Sequence, residues 1–521
     1  MARKTTPSFI LELPLVSTPK NERQALVRLE CGRRLFNACL GEALRRLDLM
    51  RQSKAWQAAR ALPAGEPKSA KSKARAAAFK LVNEAHSFSS ASISAFGTKC
   101  KNEAHWQKHL GAHETQRIAE RTFQAAQEYS FGTRGRPRFK GKGRPLHSME
   151  GKSAGSGLKW KREIGCLEWS GMILPALLPS SDQDKGGYVA EALDHRTKYA
   201  RIIWRTIAGQ RRWFVQLVQE GLAPRKYQTI PGAIVGMDVG PSVVAVYSDE
   251  AAALIPLCPE VNQPWAEMRR AQRAMDRSRR TTNPECYNAN GTFKKGAKIK
   301  VRSTGYQELR SHLAETERVL EQRRKHSHGR LVNQILGLGN VVQTEKLSYK
   351  AFQKMFGRSS KVRALGALMA QIQRKAESAG GEFVDLNTWR LKLSQYDHLS
   401  NTYTKKKLSE RWHVLGGAAA KESGSYPHGV IQRDLYSAFL AANAAKDAIH
   451  SCQVETTWPA AQSLLARAGW MKNQPSSIES LLKIAPALPA PEKVARERKP
   501  NVGHARNAVA ERRESASPNG C

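Results

Sequence analysis

Residues 9–16 alternate apolar and polar, with Phe9, Leu11, Leu13 and Leu15 on one side, which predicts a strand. Asn21 then stands where it can cap a long helix. Leu26, Leu29, Leu35, Cys39, Leu40, Leu44 and Leu47 recur at helical spacing, with Arg23, Arg28, Arg33, Arg34, Arg45 and Arg46 on the flanks. Helical patterns continue to about Tyr129, broken at 63–73 by Pro, Gly, Ser and Lys. The texture changes at Arg134, where Arg134, Arg136, Arg138, Lys140, Lys142 and Arg144 put six basic residues into eleven with no acid. Gly and Pro exclude a helix there, so this stretch is expected to be extended and to track phosphates, with Phe139 free to pack or stack.

Strand patterns follow, as in Tyr199–Arg205 and Arg212–Val218, and suggest an antiparallel β domain completed by the strand at Phe9. A second domain opens at Val235 with an apolar strand, the turn Gly240-Pro241 and a second β-branched strand ending at Tyr247. A basic, mostly helical stretch over 266–324 interrupts it, bearing Arg269, Arg270, Arg273, Arg277, Arg279 and Arg280. A strand returns at 340–345, a helix is expected over 361–380, a strand over 382–386 and a last helix over 432–445. Pro, Ala, Ser and charged residues dominate from Pro475, a composition that predicts disorder.

Charge narrows the choice of partner. The chain has 85 Lys and Arg against 45 Asp and Glu, a formal net charge of +40. Such a chain repels itself, and a polyanion relieves the repulsion through counterion release. A membrane is the rival polyanion, yet no apolar run approaches the roughly 20 residues of a spanning helix. Glu12 and Pro14 also interrupt the only stretch resembling a signal peptide, so a cytoplasmic nucleic-acid-binding protein is expected. The eight cysteines, at 31, 39, 100, 166, 258, 286, 452 and 521, include no Cys-x-x-Cys pair and are expected to be reduced.

Three acidic residues supply candidate chemistry within this basic chain. Asp238 ends the strand at Val235, Glu345 ends the strand at Asn340, and Asp434 lies in the first turn of the last helix. Taken singly, each has an ordinary explanation: a turn residue, a loop start, a helix-dipole partner. Taken together they suit phosphodiester hydrolysis, in which two Mg²⁺ ions about 3.5–4 Å apart activate water and stabilise the leaving oxygen. Spacing alone leaves their convergence open.

The segments Gly236 to Pro241, Val342 to Leu347 and Gln432 to Ala438 resemble the three split RuvC motifs of the transposon-encoded TnpB proteins, shared with compact type V CRISPR effectors. The resemblance extends over roughly residues 8–445 and takes in the helix at Arg33 to Cys39, Pro137 to Lys140 and the strand at Trp213. It implies an α/β plus α+β multidomain chain. The parts would be a first wedge strand (1–20), a helical recognition lobe (21–130) and a β-barrel wedge domain (131–228). An RNase H-like RuvC nuclease domain (229–390), split by a basic helical insertion (262–325), would follow. Residues 391–428 would be a zinc-ribbon-like insertion, 429–474 the third motif and a closing helix, and 475–521 a disordered tail. It further implies an RNA-guided DNA endonuclease with a guide RNA and a target DNA beside a short flanking motif as partners. Asp238, Glu345 and Asp434 would bind Mg²⁺, for which Mn²⁺ can substitute. Arg134, Arg136, Arg138, Lys140, Lys142, Arg144, Arg269, Arg270 and Arg273 would grip nucleic acid.

The family carries a four-cysteine zinc ribbon between its second and third motifs. Here that stretch retains Ser394-Gln395 and the run from Lys407 to His413 but no cysteine. Asp397, His398, His413 and His428 match no standard ligand spacing, so no zinc is expected and the loop is read as a metal-free flap. The rival readings are an RNA-guided DNA-binding protein that does not cut, and a transposase proper, although no separate Tyr nucleophile is evident.

Overall fold

The structure is a computed structural model and describes residues 6–472, apart from 67–68, 143–144, 185, 226, 408–409, 418–421 and 423–427. Arg144 and the tail expected to be disordered therefore lie outside the described residues. The described chain forms two compact units, 6–224 and 225–472. Both mix helices with sheets, and no described helix is long and apolar enough to cross a membrane.

The first unit begins with strand β1 (Ser8–Leu15) and helix α1 (Pro19–Gln52). Thr18, not Asn21, caps this helix: its side chain accepts the Asn21 N–H, and Pro19 fills the first helical position with its fixed φ. Four more helices follow, α2 (Lys54–Ala61), α3 (Ala70–Ala85), α4 (Ser90–Glu103) and α5 (Ala112–Ser130). The leucine stripe of α1 is buried in one core with Ile93 of α4 and Ile118 of α5. Short strands β2 (Ser148–Glu150), β3 (Leu158–Lys161), β4 (Cys166–Trp169) and β5 (Met172–Pro175) precede α6 (Tyr188–Asp194). The long hairpin β6 (Thr197–Ile207) and β7 (Gln210–Glu220) completes the unit.

These strands form an antiparallel sheet ordered β1-β7-β6-β2 and a separate sheet β3-β4-β5. The expected closed barrel is absent among the described residues. β1 meets the second sheet only through the Leu15–Ala176 bridge, and three-residue β2 is too short to extend the far edge.

In the second unit β8 (Ile234–Val239), β9 (Val243–Tyr247) and β10 (Ala252–Pro256) run antiparallel. Helices α7 (Trp265–Thr282) and α8 (Thr304–Leu338) follow, and α8 runs unbroken across residue 325 into the core. Strand β11 (Val341–Glu345) then pairs parallel to β8 on one side and to β12 (Glu382–Leu386) on the other. The sheet order is β10-β9-β8-β11-β12. The helix expected over 361–380 is two, α9 (Tyr349–Arg363) and α10 (Leu365–Ser378), because Ala364 takes a left-handed conformation (φ 47°) that no α-helix accommodates.

Beyond β12 come a short helix α11 (Thr388–Leu391), the pair β13 (Tyr396–Asp397) and β14 (Thr402–Tyr403), and β15 (Trp412–Val414). Then come β16 (Val430–Gln432), α12 (Arg433–Ala442), α13 (Ser451–Arg467) and β17 (Met471–Lys472). The helix expected from Gln432 starts one residue later, because the Gln432 side chain is its cap and accepts the Leu435 N–H at 2.8 Å.

Alternation along β8 decides which helices lie on which face. Val235, Met237 and Val239 pack with α8 and α10, through Leu331, Ile335, Leu368 and Ile372. The opposite face of the sheet is covered by α12, whose Leu435, Tyr436 and Phe439 pack with Ala245 and Tyr247 of β9.

Candidate active site

Asp238 and Glu345 lie at the carboxyl ends of two adjacent parallel strands, the edge at which open α/β sheets bind ligands. Thr344 pairs with Met237, so Glu345 and Asp238 are the next residues along β11 and β8. The face they use is fixed by their neighbours two residues earlier. A Cβ on Gly236 would lie 2.0 Å from the Ala438 carbonyl oxygen and 2.6 Å from the Ala442 nitrogen, so Gly236 touches the backbone of α12. Gln343, with its amide nitrogen toward that helix, donates to the Ala441 and Ala444 carbonyls at 2.6 and 2.8 Å. Asp238 and Glu345 therefore share the α12 face. Asp434, one helical turn before Ala438, comes from that helix to the same end of the sheet.

The electrostatics agree with this placement. Burial pushes the Asp238 carboxyl well above the ordinary carboxylate range, Asp434 and then Glu345 push it the same way, and Arg433 and Arg411 oppose them. Burial also raises Glu345, against the Leu393 N–H that donates to it at 3.3 Å. Asp434 is held by Arg433 at 3.1 Å and Arg411 at 3.5 Å, and Gln432 Nε2 donates to it at 3.4 Å. Arg433 is anchored in turn by the Glu410 carbonyl at 2.8 Å. Asp238 alone of the three accepts no hydrogen bond among the described residues.

No three His, Cys, Asp or Glu side chains form a ready-made ligand cluster among the described residues. The acids share one end of the sheet, and Asp434 and Glu345 turn to local donors. A carboxylate raised by burial and by two acidic neighbours, with no donor of its own, fits a divalent cation.

The insertion carrying Asp397 packs against the same helix. His413 and Asp397, each 1% exposed in its side chain, pair at 2.8 Å through His413 Nε2, and the other ring nitrogen faces Lys406. Asp397 also accepts the N–H groups of Leu399, Ser400 and Gly416, each at 3.0 Å. Burial alone would raise Asp397, but His413, Ser400 and Gly416 outweigh it and hold the carboxyl at about 2. Burial lowers the pKa of His413, against the Asp397 carboxylate, which raises it. The Tyr436 hydroxyl of α12 accepts the His398 N–H at 3.0 Å and pairs with His398 Nδ1 at 2.6 Å, and His413 stacks on the Tyr436 ring. Asp397, His398 and His413 thus spend much of their bonding capacity on one another and on Tyr436, two residues from Asp434.

The basic residues fall in both units. In the first, the 134–142 segment contains neither helix nor strand and lies along α1. Lys140 N–H donates to Asn37 Oδ1 at 2.8 Å, and its carbonyl accepts from Arg33 and Asn37 at 2.7 and 2.8 Å. Arg134 pairs with Glu128 and Arg136 with Asp48, Arg138 and Lys142 are exposed, and the Lys140 ammonium sits over the Phe36 ring. In the second, Arg269, Arg270 and Arg273 are exposed on α7, whose Met268 and Ala271 are buried. Sequence reasoning passed over Gly236, Arg411, Arg433 and Tyr436; a lone Gly inside an apolar strand was the available sign of close backbone approach. Seven cysteines lie among the described residues, all free, five of them buried.

Among solved structures the chain is similar to the protein of a Cas12f1-sgRNA-target DNA complex. Identity is 11%, covering 83% of this chain and 98% of that one, with a TM-score of 0.39. It is also similar to that of a CRISPR-Cas12f ternary complex, with 12% identity, 84% and 100% coverage and a TM-score of 0.22. No family model and no curated protein matches the chain. Both TM-scores lie under 0.5, so the functional argument rests on the chain's own residues.

Proposed function

We propose that this chain is an RNA-guided DNA endonuclease of the compact type V or TnpB kind, with an RNase H-like RuvC domain in its second unit. The observation that carries the reading is the sharing of one sheet end by Asp238, Glu345 and Asp434 while Asp238 has no donor of its own. Asp238, Glu345 and Asp434 would hold Mg²⁺, with Mn²⁺ able to substitute. Such ions, when bound, activate the attacking water and neutralise charge on the leaving oxygen. The chain's own part is to hold two carboxylates on a rigid sheet and the third on a helix seated against it. Arg433 and Arg411 hold Asp434 in place and supply positive charge where a phosphate backbone must approach acids. The proposed partners are a guide RNA and a target DNA with a short flanking motif; the exposed basic residues of both units grip backbones while base pairing reads sequence.

The test is Asp238→Ala, assayed for RNA-guided cleavage and for target binding after purification with RNA transcribed from the protein's own locus. Cleavage is expected to fall below detection while binding stays within about twofold, since one half-buried carboxylate adds nothing to phosphate affinity. Cleavage at the parental rate would overturn the assignment. Wild-type protein that binds the target but leaves it whole in Mg²⁺ and in Mn²⁺ would favour the non-cutting reading.

A further inference from the structure

Trp389 is 88% exposed, the highest exposure among the large hydrophobic residues described. Among the described residues no ring stacks on its indole and no cation covers it. Leaving so large an apolar side chain in water forgoes the burial that normally retains tryptophan in a sequence.

The turn beneath the indole is rigid. Trp389 belongs to α11, capped by Asn387, whose side chain accepts the N–H groups of Trp389 and Arg390 at 3.2 and 3.4 Å. Asn387 is itself tied down, its N–H donating to the Lys446 carbonyl at 2.9 Å and its amide to Asp447 at 2.9 Å. Thr388 donates to the carbonyl of Lys346, the residue after Glu345, at 3.0 Å, and Leu393 N–H donates to Glu345 itself. The exposed indole is therefore carried between two anchors to the strand end that holds a proposed metal-binding acid. Lys346, Arg390 and Lys392 are exposed around it, with Asp447 the acid beside Arg390. A rigid aromatic face among cations offers both halves of single-strand recognition, a stacking surface and backbone charge.

We propose that Trp389 is a stacking platform for an unpaired nucleobase of the strand that reaches the carboxylate site. The inference rests on the nuclease reading for its purpose, yet it is testable without cleavage. The full-length protein is mixed in EDTA with dye-labelled oligothymidylate, or with an abasic oligomer of equal length and charge, and affinity is read by anisotropy. The parent is expected to prefer the oligomer with bases. Trp389→Ala should lose about five- to 150-fold of affinity for it, the value of one stacked base, while binding the abasic oligomer as before. Trp389→Phe should keep most of the preference. Unchanged affinity in Trp389→Ala, or equal loss for both oligomers, would overturn the proposal. If Asp238→Ala still cuts while Trp389→Ala loses its base preference, the nuclease assignment falls and the platform stands.

Discussion

At the scale of single residues, the three acids of the site differ in who supplies their hydrogen bonds. Asp434 has Arg433 and Arg411, Glu345 has one backbone N–H, and Asp238 has neither. A different outcome holds at His398, 7% exposed beside Trp458, with one ring nitrogen on Tyr436 and no partner for the other among the described residues. Burial lowers its pKa from 6.5 to about 4. The unfolded chain therefore takes up a proton between these values that the folded chain refuses, so stability is full above pH 6.5 and is lost as pH falls toward 4. The loss amounts to about 3 kcal/mol at most. Melting temperatures of the parent and His398→Asn across this range should diverge: the parent falls steeply on acidification, while the variant lacks that part of the slope. Parallel curves would show that His398 titrates normally.

At the scale of elements, legibility in the sequence followed the type of signal. The alternation at Phe9, the strands ending at Asp238 and Glu345, and the leucine stripe of α1 were readable because each is a local period imposed by one buried face. Thr18 was missed as a cap because Asn21, an equally good capping type, stood closer to the first leucine. The break at Ala364 was invisible because alanine is a strong helix former and only tertiary packing turns it left-handed. The pairing of Asp397 with His413 and of His398 with Tyr436 joins residues 16 and 38 positions apart, beyond any local pattern. The strands at Phe9, Tyr199 and Arg212 were recognised singly, but whether a sheet closes depends on edge partners that no single strand encodes.

The element on which the site most depends is α12, and Gly236 sets its distance from the sheet. Alanine there would place a carbon 2.0 Å from a backbone oxygen, so the helix and Asp434 with it must move. Gly236→Ala is expected to cost about 1–3 kcal/mol in a denaturant titration and to remove cleavage even though every acid remains. Gly305→Ala in α8, where the added carbon meets nothing within 4 Å, serves as control and should match the parent.

At the scale of the whole molecule, a net charge of +40 makes the proposed affinity for nucleic acid a function of salt. Arg138, Lys142, Arg269, Arg270 and Arg273 are exposed, and Arg134 and Arg136, also exposed, pair with acids of their own unit. Each exposed cation that touches a phosphate contributes about 0.7–0.9 to the slope of log affinity against log salt. Arg269→Ala combined with Arg270→Ala should flatten that slope by up to about 1.8 and weaken binding without regard to sequence. Arg134→Ala should change it less, because its release from Glu128 also frees an acid. An unchanged slope for the double variant would remove α7 from the nucleic-acid surface.

Strand β16 leads directly into Asp434, and its two partners are β15, from the insertion, and β17, at residues 471–472. The Gln432 N–H donates to the Trp470 carbonyl at 3.0 Å, so the cap of α12 depends on a segment that follows it by nearly forty residues. A ribosome makes these parts in order. Asp238 and Glu345 emerge and can pair on the sheet long before the strand that seats the third acid has its outer neighbour. Assembly of the three acids is thereby delayed until the second unit is almost complete, so that, for the nuclease proposed above, a partial translation product would lack the seat of its third acid.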